Sequence, residues 1–106
     1  MDKIIQLKEL SQKLEEIKGK GETITHCHGV FDLLHIGHIK YFQEAKSLGD
    51  VLVVTITQDR FVNKGPDRPT FGEDLRAEAV ASLEVVDFVA INEWPTAVET
   101  IEILKP

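Results

Sequence analysis

His35 and His38 stand three residues apart with Gly37 between them, inside the stretch HGVFDLLHIGHIKYF that runs from His28 to Phe42. His26 and His28 lie just upstream, so all four histidines of the chain fall within thirteen residues. Such a cluster can serve three ends: metal ligation with Cys27 as a fifth donor, an unremarkable pair of surface histidines at a helix start, or the handling of phosphate. Cys–His zinc sites usually carry more than one thiol at paired spacings, and this chain has one cysteine; no metal is assigned. Residues three apart on a helix share a face, so His35 and His38 can address one object. If they begin a helix, free backbone N–H groups and the positive dipole end favour an anion there. Gly37 lacks a side chain and permits close approach. Imidazole N–H groups then suit the stabilisation of charge on a phosphate under attack.

The elements around this stretch alternate. Leu7, Leu10, Leu14 and Ile17 recur at helical spacing and predict an amphipathic helix over Lys3–Lys18, ended by Gly19 and Gly21. Thr23–His28 is β-branched and reads as a strand, with His26 and His28 on one face and Cys27 on the other. A helix over Gly37–Leu48 carries Ile39, Phe42, Ala45 and Leu48 on one side, with Gly49 at its end. Asp50–Thr57 is a continuous apolar run, the pattern of a strand covered on both faces. Gln58–Gly72 reads as a long functional loop. Thr70 and Glu73 have capping-box spacing before a helix over Glu73–Leu83. Glu84–Ile91 is a third buried-type strand, and Pro95 opens a last helix ending near Leu104. This order predicts one α/β domain over residues 1–106: an N-terminal helix over 1–20, then βα repeats over 23–106 around a parallel sheet. Ligands of such sheets bind at the carboxyl ends of the strands, where GVFDLLHIGH lies.

The whole chain sets bounds on function. With 106 residues and a formal net charge of −6, it lacks the basic balance of a general nucleic-acid binder. No apolar run is long enough to span a membrane. Residues 1–22 show no apolar core or cleavage site of a secretory signal. One cysteine rules out an internal disulfide framework, and a cytoplasmic location is expected.

GVFDLLHIGH, followed by NKGPDRP, LRAEAVASLEVVDFV and ILKP, resembles the HxGH-motif nucleotidyltransferase superfamily, the cytidylyltransferase-like group. The pattern is most similar to the heptose-1-phosphate adenylyltransferase domains of ADP-heptose synthesis. The resemblance covers nearly the whole chain. It implies a Rossmann-like fold and transfer of a nucleotidyl group, AMP rather than CMP, from ATP or CTP to a phosphorylated sugar or polyol, with pyrophosphate released. It implies that His35 and His38 contact the nucleotide phosphates, and that Gly29, Val30 and Phe31 form a backbone cradle beside the nucleotide. Asp32 would orient the acceptor or the loop, unless it is only a turn-forming Asp. Lys64 would neutralise phosphate charge, with solvated Lys as the alternative. Arg68 is a weaker candidate for the same task. Arg76 could join them or lie on a helix surface. Trp94 could line the pocket or make a core or dimer contact. Mg²⁺ would arrive with the triphosphate, held by phosphate oxygens and water.

Relatives carry a further strand and a Ser/Thr-rich motif after the equivalent of ILKP, so the domain is expected to be C-terminally truncated. Two readings stay open: an enzyme of this group, or a non-catalytic module that oligomerises or docks on a partner enzyme. A sheet this thin has an open edge, and a homodimer or swapped assembly is expected to cover it.

Overall fold

The computed structural model describes residues 3–62, 71–94 and 96–105. Three parallel strands, β1 (Ile24–Gly29), β2 (Val51–Thr57) and β3 (Phe88–Asn92), form one sheet in the order β1-β2-β3. Four helices flank it: α1 (Leu7–Gly19), α2 (Ile36–Ser47), α3 (Glu73–Ala81) and α4 (Val98–Leu104). A single 3-10 turn, Asp59–Phe61, follows β2.

The unbroken apolar run of β2 is buried at all seven residues because helices cover both faces. Leu52, Val54 and Ile56 alternate onto one side and pack with Cys27, Phe42, Ala77, Val80 and Val89, against α2 and α3. Val51 and Val53 face the other way and pack with Leu7, Leu10, Leu14 and Leu104, against α1 and α4. Burying a Leu or Val side chain contributes about 1.5–3 kcal/mol each, so these two layers dominate the fold's stability. The predicted α/β order, with its helix and three strand–helix units, is therefore the observed one.

Five local expectations change. Residues 3–5 are not helical. Ile4 bridges Val89 in parallel, the N–H of Ile5 donates to the carbonyl of Val89 (3.0 Å), and the N–H of Val89 donates to the carbonyl of Lys3 (2.8 Å). The outer edge of β3 is thereby covered by the chain's own N-terminal segment, and the edge without a strand partner among the described residues is that of β1. Leu48, assigned to the apolar side of α2, is 75% exposed. The N-cap of α3 is Gly72 and makes no side-chain cap bond. Glu73 opens that helix instead of sitting in its third position, and its Oε1 accepts from the N–H of Asp59 (2.9 Å); Thr70 lies outside the described residues. The third strand begins only at Phe88, because Asp87 turns its carboxylate back onto the N–H of Leu52 (2.8 Å) and onto Lys46 (2.7 Å). Finally, α4 starts at Val98, three residues beyond the expected Pro95, itself outside the described residues. The turn before α4 is built by buried Asn92, whose Nδ2 donates to the carbonyls of Trp94 (2.7 Å) and Thr96 (2.9 Å) while its Oδ1 accepts from Thr100.

Candidate functional site at the start of α2

β1 ends at Gly29, and the loop beyond it leads into α2 at the carboxyl end of the sheet, where doubly wound folds bind ligands. His35 is the N-cap of α2, with extended backbone. Its Nδ1 accepts from the N–H of Gly37 (3.0 Å), and the Nδ1 of His38 accepts from the N–H of His35 (3.3 Å). The two imidazoles form a reciprocal capping box, a task usually given to Ser or Thr with Glu. Their centroids are 4.0 Å apart. The first turn of α2 has no acidic residue, so nothing there opposes the positive end of the helix dipole.

This geometry fixes the tautomers. A backbone N–H can only donate, so both Nδ1 atoms are acceptors, and each neutral ring carries its proton on Nε2. An imidazole Nε2–H is a donor of the kind that binds phosphoryl oxygens.

Both glycines of this stretch lie beneath aromatic rings. A Cβ at Gly29 would lie 2.8 Å from Cζ of Phe31, and a Cβ at Gly37 would lie 2.7 Å from Cε1 of His35. The space above each glycine is filled by a ring of the site itself. Phe31 adopts φ of 50°, a left-handed conformation that costs a non-glycine residue on the order of 1 kcal/mol or more. Its ring meets His38 edge-on, with centroids 5.7 Å apart.

Asp32 Oδ1 accepts from the N–H of Phe71 (2.9 Å), joining the β1–α2 loop to the segment before α3. Arg76 does not lie on the helix surface: it is 1% exposed. Its guanidinium donates to the carbonyls of Phe71 and Val30 (both 2.9 Å) and to Oδ1 of Asp59 (2.6 Å). The sequence held a signal for this. Arg76, Ala77, Val80 and Ala81 are the buried residues of α3, and Arg76 falls on that one face of the helix. A cavity of about 250 Å³ opens between this loop and α3, lined mainly by Phe31, Leu34, Phe71, Leu75 and Ala79.

The other two histidines belong elsewhere. His26 Nε2 and His28 Nδ1 each lie 2.8 Å from the hydroxyl of Thr55, and His28 Nε2 lies 3.4 Å from that of Thr57. Burial lowers the pKa of His26 to about 4, with His28 beside it adding to the shift, and burial also lowers that of His28. Cys27 points into the opposite layer, where burial raises its pKa. Among the described residues no three His, Cys, Asp or Glu side chains converge on a metal position. Trp94 packs with the α1/α4 layer and borders a groove beside Gln6, Lys8 and Ile103, away from the layer that α2 covers. Lys64 and Arg68 lie outside the described residues. The described helices include none long and apolar enough to cross a membrane.

Comparison with known proteins identifies the family. The cytidylyltransferase-like family profile matches residues 26–106. The chain is 41% identical over 108 residues to the bifunctional protein HldE of Syntrophotalea carbinolica, covering 99% of this chain and 22% of that protein. It is 47% identical over 94 residues to the HldE of Nitratiruptor sp., covering 87% of this chain and 20% of that protein. The chain therefore spans about a fifth of the length of the curated relatives it matches. Among solved structures, the lipopolysaccharide core biosynthesis protein from Thermoplasma volcanium superposes with a TM-score of 0.73 at 37% identity, over 81% of this chain and 70% of that one. The family match over residues 26–106, on a parallel α/β sheet with flanking helices, places this chain in the cytidylyltransferase-like family of nucleotidyltransferases.

Proposed function

We propose that the chain carries a nucleotidyl-transfer site that accepts Mg·ATP, in preference to Mg·CTP, and a phosphorylated sugar or polyol. An acceptor phosphate oxygen attacks the α-phosphorus. The new P–O bond forms as the bond to the bridging oxygen breaks, and pyrophosphate leaves with the electron pair. The acceptor oxygen is already ionised at neutral pH, so no strong base is needed, and catalysis is positioning plus charge stabilisation. His35 and His38 donate from Nε2 to the phosphate oxygens, while Lys64, with Arg68 as a weaker candidate, neutralises further charge. Asp32 orients the loop. Mg²⁺ comes as part of the substrate, held by phosphate oxygens and water.

The observation that carries this reading is the pair of imidazoles locked by backbone N–H groups at an acid-free helix start. The preference for AMP and for a sugar phosphate rests on the resemblance of GVFDLLHIGH and NKGPDRP to heptose-phosphate adenylyltransferases. Pyrophosphate release over a panel of sugar and polyol phosphates, with ATP and CTP, tests it. Release with ATP and one phosphorylated acceptor is expected; no release with any pair contradicts it.

A second reading, a non-catalytic module that oligomerises or docks on a partner enzyme, is favoured by the edge of β1, which has no strand partner among the described residues. In either reading a second copy of the chain across the β1 edge is the expected assembly.

A further inference from the structure

Three segments meet at one buried side chain. Arg76 reaches Val30 in the loop after β1, Asp59 in the 3-10 turn after β2, and Phe71 just before α3. All three bonds use different nitrogens of the guanidinium, whose planar fork no lysine reproduces. The bond to Val30 matters most. Its carbonyl belongs to the peptide bond that enters Phe31, the residue held at φ of 50°. Releasing that carbonyl would let the peptide rotate and relieve the left-handed conformation. The Phe31 ring covers Gly29 and meets His38 edge-on, so the rotation would also remove the surface against which His38 rests.

We propose that Arg76 is a positioning residue: through Val30 it holds Phe31 in its left-handed conformation, and through Phe31 it sets the His38 imidazole, without touching substrate. The same guanidinium fixes Asp59 and Phe71, which bracket in sequence the stretch that carries Lys64. This inference rests on the proposed phosphate site only for its consequence in binding; the structural part stands apart from it.

The test uses the full chain and two readouts. The first is the nuclear Overhauser contact between the Phe31 and His38 rings, with long-range ¹⁵N correlation for the imidazole tautomers. The second is the affinity for Mg·ATP by titration calorimetry. Arg76→Lys, verified as folded by circular dichroism, is expected to lose the Phe31–His38 contact and to bind Mg·ATP about tenfold more weakly. A folded Arg76→Lys that keeps both the ring contact and the Nε2–H tautomers overturns the proposal, as does a lost contact with unchanged affinity. If Arg76→Lys does not fold, Arg76→Gln, whose shorter side chain gives up the bond to Val30, decides: a weakened ring contact supports the proposal, and an unchanged one overturns it. If the parent chain binds no Mg·ATP, the functional reading fails by itself, and the ring contact in the variants still judges the role of Arg76.

Discussion

The backbone N–H of His35 donates to Nδ1 of His38 across 3.3 Å, so the main chain at the helix start holds the His38 ring, whose centroid lies 4.0 Å from that of His35. Replacing either removes one ring of that contact and leaves the main-chain bond of the other in place. His38→Ala is expected to lower turnover about a hundredfold or more, the range for losing one preorganised donor. His35→Ala should lose as much and also destabilise the fold by about 1 kcal/mol, because it removes the N-cap of α2. Steady-state pyrophosphate release and urea unfolding of both variants check this. Equal turnover in His38→Ala and parent would contradict it.

Gly37→Ala separates stability from function. The new Cβ would meet the exposed imidazole of His35 at 2.7 Å, and that ring can swing away. Thermal unfolding should then change little, while the His35–Gly37 bond breaks and Mg·ATP binding weakens several-fold, by about 1 kcal/mol. Gly29→Ala is different, since its Cβ meets the Phe31 ring at 2.8 Å and that ring packs on Phe42. It should cost about 1–3 kcal/mol of stability.

The turn into α4 depends on one amide. Asn92 and Thr100 are both fully buried and bonded to each other. Thr100→Val leaves Asn92 Oδ1 without that donor and should destabilise the chain by about 1–3 kcal/mol. Denaturant unfolding measures it, with the urea midpoint expected to fall at unchanged slope.

Stability should fall with acid through His26. Its folded pKa is depressed to about 4 from the ordinary 6.5, so the unfolded chain binds more protons between these values. By linkage, stability is fullest above pH 6.5, declines as pH falls toward 4, and stops changing from this cause below that. Urea midpoints across this range test it. In His26→Asn the decline should be shallower, with a remaining part from His28, whose pKa burial also lowers.

The alternating apolar patterns made the fold legible. The run Val51–Thr57 announced a doubly covered strand, and Leu7, Leu10 and Leu14 announced the face that α1 buries. The motif with its spacing gave the helix start, because three-residue separation on a helix is a geometric fact. Arg76 stayed open because its partners, Val30, Asp59 and Phe71, are far apart in sequence and two of the bonds go to carbonyls that every residue owns. The rings over Gly29 and Gly37 were not legible for a related reason. A missing side chain marks a close approach, but the sequence does not say whether a ligand or a neighbouring ring fills the space. The covering of β3 by residues 3–5 was hidden inside an apparent helical repeat, since Ile4 and Ile5 suit either periodicity.

Isothermal titration of Mg·ATP into the parent chain and into His35→Ala and His38→Ala tests the phosphate site most directly. The account predicts saturable binding by the parent and at least tenfold weaker binding by each variant, about 1.4 kcal/mol or more. Binding of equal strength in all three proteins, or none in the parent, would contradict it.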